Sequence, residues 1–228
     1  MAMSFGFYGK LPSQGDFVSR RLPWVFTEAW DAWMQRGLLT AREQLGERWI
    51  ECYLSAPVWR FRLAPGLAGA QAWAGLWFPS VDRVGRHFPL TVAIPLPADT
   101  GEAALVTDND ERWIEFEDQA LMGLDPYLPL ERFDAQVLAL AVPFDLQAGS
   151  VTGAAVPTTA TRVRVLPGDT PPASAAKACS ELAASPAVFF SWGSARVPTS
   201  IISAGGLVET RGFSGFLTGE WPAIAVER

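Results

Sequence analysis

The only histidine, His87, closes a loop that also carries Asp82, Arg83 and Arg86. A histidine near a carboxylate can move protons around neutral pH, and guanidinium groups bind carboxylates or phosphates through paired hydrogen bonds. General-base chemistry further requires a nucleophile within hydrogen-bond reach of the imidazole, and the sequence sets none beside it. The nearest approach to a nucleophile elbow, Gly212-Phe-Ser-Gly-Phe216, lacks the final glycine. Neither a phosphate-binding loop nor a dinucleotide fingerprint is present. One histidine rules out a histidine-based metal cluster within a single chain, and Cys52 and Cys179 are far apart without a CxxC pair. No catalytic residue, metal set or cofactor motif is therefore assigned. A turn held by its own hydrogen bonds accounts for the loop around Asp82 more simply than catalysis does.

A second concentration of unusual residues lies in Phe5-Gly-Phe-Tyr-Gly-Lys-Leu-Pro-Ser-Gln-Gly-Asp-Phe-Val-Ser-Arg-Arg21. Apolar and aromatic residues in strand-like order give way to Gly9, Lys10, a proline and Gly15. Glycines at this density supply positive-φ positions or allow another backbone close by. Asp16 is placed to accept free N–H groups of the segment after it.

Bulk properties narrow the function classes. A net charge of −6 argues against non-specific nucleic-acid binding, which needs a basic face. Ten tryptophans and fourteen phenylalanines supply far more aromatic surface than a small core needs, since each ring buries about 150–250 Å². Those left outside are suited to protein contacts. The N-terminus has no basic region followed by an apolar run, which predicts no signal peptide and a cytoplasmic location with two reduced, buried thiols. The segment Leu63 to Pro79 is nearly uncharged, but it is shorter than the roughly 20 apolar residues of a membrane span and contains two prolines. Stable membrane insertion is not expected.

The elements that must position these residues follow from periodicity. Pro23 opens a helix over 23–36 whose apolar stripe is Phe26, Trp30, Trp33, Met34 and Leu38, with Gly37 as its stop. Thr40 and Glu43 form a capping-box pattern for a second helix over 41–54, with Leu45, Trp49, Cys52 and Tyr53 inward. Phe5–Tyr8, Trp59–Leu63, Ala72–Phe78 and Phe88–Leu96 read as strands. In Trp59-Arg-Phe-Arg-Leu63 the arginines take the face opposite the aromatics. The short polar link Pro79–His87 predicts antiparallel pairing of its flanking strands. Asp108 and Glu111 mark a third helix over 109–123, with Trp113, Phe116, Ala120, Leu121 and Leu124 as its apolar stripe and Glu111, Glu115, Asp118 and Gln119 solvated. Gln136 to Val142 reads as a buried strand. Gly149 to Pro172 is rich in Gly, Ala, Thr and Pro and reads as a long loop. A small helix over Ser174–Ala184 and three strands, Val188–Trp192, Thr199–Ser203 and Phe213–Leu217, complete the chain. The expected fold is α/β of the α+β type, a mostly antiparallel sheet packed by helices. Residues 1–145 form the main domain, and 146–228 form a C-terminal extension packing on it.

The ordered set Gly9-Lys-Leu-Pro-Ser-Gln-Gly-Asp-Phe17, the Trp-rich first helix, Pro57-Val-Trp-Arg-Phe61 and Ser80-Val-Asp-Arg-Val-Gly-Arg-His-Phe-Pro-Leu90 resembles the TagF (ImpM) family of type VI secretion-associated proteins. These features cover roughly the first 125 residues. The resemblance implies a longin-like fold and a cytoplasmic, non-enzymatic regulator. Such a regulator restrains assembly or firing of the secretion apparatus after translation, with a forkhead-associated-domain scaffold as partner. It transfers no catalytic residue. The contrasting reading is an enzyme or ligand-binding domain acting on a phosphorylated or small-molecule ligand near His87.

Where a partner would dock follows from the two unusual loops, Lys10–Arg21 and Ser80–Arg86. If their flanking strands are neighbours, Lys10, Asp16, Arg20, Asp82 and Arg86 form a mixed-charge rim around Phe17, a composition suited to a protein contact. The alternative is that Asp16 and Asp82 only satisfy donors in their own turns.

Overall fold

A computed structural model describes residues 4–97, 100–102, 104–107, 110–143, 147–148, 161–182, 184–221 and 225–227. In chain order the elements begin with β1 (Gly6–Gly9), β2 (Val18–Arg20), α1 (Trp24–Leu45), α2 (Trp49–Leu54), β3 (Trp59–Leu63), β4 (Ala72–Phe78) and β5 (Leu90–Leu96). They continue with β6 (Thr100–Glu102), α3 (Glu111–Leu121), α4 (Leu130–Ala139), β7 (Gln147–Ala148), β8 (Arg162–Val165) and α5 (Pro172–Ser180). Last come β9 (Ala187–Ser191), β10 (Ser200–Ala204), α6 (Gly215–Thr218) and β11 (Ala225–Glu227).

Nine strands form one sheet in the order β11-β8-β10-β9-β3-β4-β5-β1-β2. Every neighbouring pair is antiparallel except β11–β8. This is the expected α+β sheet. The segment after residue 146 extends that sheet directly, because β9 pairs with β3 at Arg60↔Phe190 and Phe61↔Phe189. β6 and β7 form a separate two-stranded ribbon.

Alternation along the strands sorts side chains into two cores, one on each face. Trp59, Phe61, Leu63, Trp73, Trp77 and Phe189 meet α1, α2 and α6 through Trp30, Trp33, Tyr53, Phe213 and Phe216. Phe5, Phe7, Leu76, Phe78, Leu90, Val92 and Phe190 meet α3, α4 and α5 through Trp113, Phe116, Phe133, Val137 and Cys179. The sheet is therefore covered on both sides, and every residue of β3 is buried, Arg60 and Arg62 included. Trp30, Trp33, Trp49, Trp113 and Phe116 are buried as their helical stripes predict, and Phe61 and Leu90 are buried on the strands.

Four local expectations are corrected. The first two helices do not divide at Gly37. α1 runs unbroken to Leu45 and stops at Gly46, whose φ is 54°. Gly37 is needed for space, since a Cβ there would stand 2.1 Å from the Phe213 ring. Gln136–Val142 is not a strand. α4 covers most of it, entering after Pro129 and burying Phe133 and Val137 at helical spacing. Phe213–Leu217 is a helical turn rather than a strand, because Phe213, Phe216 and Leu217 all face one core. Within the expected loop Gly149–Pro172, Arg162–Val165 pairs with β10 as β8, while 149–160 lie outside the described residues. Asp108 also lies outside them, and the residue preceding α3 is Asp110, at φ 57°.

Candidate functional site

Strand pairing brings the two unusual loops together. β1 lies beside β5, so the chain leaving β1 at Gly9 meets the β4–β5 connection that holds Asp82 and Arg86. That connection is a tight hairpin closed by a Val81–His87 bridge and by the Asp82 amide donating to the Arg86 carbonyl at 3.1 Å. Asp82 Oδ1 accepts the amides of Val84 at 3.0 Å and Arg86 at 2.9 Å, so the side chain builds its own turn. Its Oδ2 accepts from Lys10 Nζ at 2.7 Å and from Arg86 Nε at 2.6 Å.

Further bonds tie the loops into one unit. Ser80 Oγ donates to the Lys10 carbonyl at 2.7 Å, and the Arg83 amide donates to the Gln14 carbonyl at 2.8 Å. Arg86 Nη2 reaches the Gly15 carbonyl at 2.5 Å. Tyr53 locks the base from below, its hydroxyl accepting from the Ser80 amide and donating to the Ser80 carbonyl. Burial alone would raise the Asp82 carboxyl. The bonds from Lys10, Arg86 and Val84 outweigh it and hold the group well below the usual carboxylate range.

The expected rim divides into two sets. Lys10 and Asp82 are only 4 % and 2 % exposed and act as an internal clamp. Asp16, Phe17, Arg20 and Arg86 face solvent. Asp16 accepts the Phe17 amide at 2.8 Å, which serves its own turn. Phe17 stacks on Tyr8, meets Phe88 edge-on and has Lys10 Nζ 5.1 Å from its ring centre. It is nonetheless 41 % exposed, and Val84 at the hairpin tip is 69 % exposed. The clamp thus presents apolar and guanidinium groups on a rigid platform.

His87 lies against this platform with its ring edge-on to Tyr53, 5.3 Å between centres. Burial is the first cause holding its imidazole below the ordinary value, and Arg42 and Lys10 push the same way. Among the described residues no side chain hydrogen-bonds to that ring.

Sequence reasoning missed the centre at Arg60. Its guanidinium forms a two-point pair with Asp110, both bonds 2.7 Å, and Nε donates to Glu117 Oε1 at 2.6 Å. It lies between the rings of Trp113 and Phe190, at 4.8 and 5.5 Å. Asp110 Oδ2 also accepts from Trp192 Nε1 at 2.7 Å, tying the α3 entrance to the strand β9 region. Burial raises the Glu117 carboxyl, and Arg60 offsets this only in part. Arg60 and Asp110 are sealed under α3, with Glu117 and Trp192 at the partly exposed margin. The alternation in Trp59–Leu63 was the available signal, but it does not tell which face a later helix covers.

Residues 6–140 match the family model described as the TagF N-terminal domain, type VI secretion system-associated. Among solved structures the chain is similar to the crystal structure of PA0076 from Pseudomonas aeruginosa PAO1. The two are 36 % identical over 99 % of each chain, with a TM-score of 0.77. No curated protein matches the chain.

Proposed function

The chain belongs to the TagF family of type VI secretion-associated proteins, and from that premise we propose that it restrains the secretion apparatus by binding a component of it. The partner in this reading is the forkhead-associated-domain scaffold of the same system, engaged in the cytoplasm and after translation. No chemical step is required. The family match over residues 6–140 is the observation that carries the reading. The loop platform supports it, since exposed Phe17 and Val84 stand among arginines on a face held by internal bonds. Apolar groups ringed by polar ones, on a surface that need not reorganise, favour protein association. Within the six residues first singled out, Asp16, Phe17, Arg20 and Arg86 are the proposed contacts, while Lys10 and Asp82 position them. Among the described residues no helix is long and apolar enough to cross a membrane.

The test is capture of tagged chain from cells that retain the secretion cluster, read by mass spectrometry. The reading expects the scaffold as the main specific partner. Recovery of no secretion component refutes it.

A further inference from the structure

The charges on the loop platform do not balance. Asp82 supplies one buried carboxylate, and both Lys10 and Arg86 bind its Oδ2. The trio therefore carries one excess positive charge. Arg83 adds another: its guanidinium lies beside Gly15, where a Cβ would be 3.2 Å from Nη2, and it has no ion pair among the described residues. Arg20 on the edge strand β2 is likewise without an ion pair there, donating only to the Ser19 carbonyl. Asp16 is the single exposed acid of the two loops. At His87, burial comes first in holding the imidazole below its ordinary value, Arg42 and Lys10 push the same way, and Asp82 opposes them. All this occurs on a chain whose net charge is −6.

The platform is also built to hold a guanidinium in place. Arg86 is fixed at Nε by Asp82 and at Nη2 by the Gly15 carbonyl, which leaves Nη1 with no intramolecular partner among the described residues. A cation immobilised before binding loses little freedom when it meets an anion.

We infer that this face takes the acidic surface of a protein partner, with Arg83, Arg86 and Arg20 meeting carboxylates and Phe17 and Val84 forming the apolar centre. The inference rests on the binding role proposed above and names the chemistry of the partner's contact surface. An anionic membrane fits less well. A membrane presents a whole plane of negative charge, so the acidic remainder of this chain is repelled with it. A protein contact is local, because charges beyond a Debye length of about 8 Å are largely screened at physiological salt.

The experiment titrates purified chain into the purified scaffold at about 0.1 M and about 1 M salt, between which the Debye length falls from about 10 to about 3 Å. The first variant is Arg83→Glu. Among the described residues its guanidinium has no hydrogen bond or ion pair and only lies beside Gly15, so its melting temperature should match the wild type. Arg86→Glu is the second, with its melting temperature checked because it also ties Gly15. Reversing Arg83 should weaken binding about tenfold or more at low salt, the deficit shrinking at high salt, as expected for a contact charge. Unchanged affinity of both variants, with the wild type binding, overturns the acidic-surface assignment and leaves the binding role intact. No binding by the wild type overturns both. Flotation of the wild type with phosphatidylserine vesicles, abolished by Arg83→Glu, makes lipid the occupant and also overturns the assignment.

Discussion

Replacing Asp110 with Asn should lower the melting temperature by about 6–12 °C, and the magnitude follows from what surrounds Arg60. Asn keeps the shape of Asp and tolerates the left-handed backbone that Asp110 adopts at φ 57°, so the substitution removes little except charge. The side chains of Arg60 and Asp110 are 0 % and 1 % exposed. Taking one partner from such a pair strands the other charge away from water, at a cost of about 3–5 kcal/mol. Glu117 remains on Arg60 Nε at 2.6 Å, which puts the expected loss at the lower end, about 3 kcal/mol. For a chain of 228 residues each kcal/mol moves the midpoint by about 2–4 °C, giving the stated range. Thermal unfolding followed by circular dichroism is the assay. Arg60→Met and the double variant complete a cycle in which the double change should cost less than the sum, by about 1–3 kcal/mol. A midpoint shift below about 2 °C, or strict additivity, would refute the claim that this pair binds β3, α3 and the Trp192 region into one cooperative unit.

Three further outcomes follow. Gly37→Ala should destabilise by about 1–3 kcal/mol by overpacking against Phe213, although helix propensity alone favours Ala by about 1 kcal/mol; urea unfolding gives the sign directly. For Asp82 the folded-state carboxyl lies below its ordinary value, so its contribution is complete above the unfolded carboxyl range near pH 4 and is lost as pH falls below it. The stability gap between wild type and Asp82→Asn should therefore narrow on acidification, and a gap that widens refutes the clamp. Cys52 and Cys179 are both buried, and burial pushes the Cys179 thiol up to about 12. Neither should react with an aromatic disulfide reagent in the native chain, whereas both should react in denaturant; fast native labelling contradicts the packing.

Strong local patterns were readable in the sequence. Trp59–Leu63 appears with the bounds that alternation predicts and Ala72–Phe78 with those of its continuous apolar run, and the Phe26–Leu38 stripe faces the core as its spacing requires. The short polar link before Phe88 fixed the β4–β5 hairpin, which placed one loop, and the β1–β5 pairing then placed the other. Long-range packing was not readable. Lys10 and Asp82 resemble surface residues in isolation, and they become a buried clamp only because residues 72 positions apart meet. Gly37 resembles a helix stop because its requirement comes from a ring at position 213. In Gln136–Val142 the uninterrupted apolar run suggested a strand, while Phe133 and Val137 carry the period that decides for a helix.

The central claim is that the chain restrains secretion by occupying a partner rather than by turning over a substrate. Effector release measured while the cellular ratio of chain to scaffold is varied tests it most directly. A binding protein acts stoichiometrically, so release should fall in proportion to that ratio, reach its minimum near equal amounts and recover when extra scaffold is supplied. Full repression at a small fraction of the scaffold level, unaffected by additional scaffold, would contradict the account and point to catalysis.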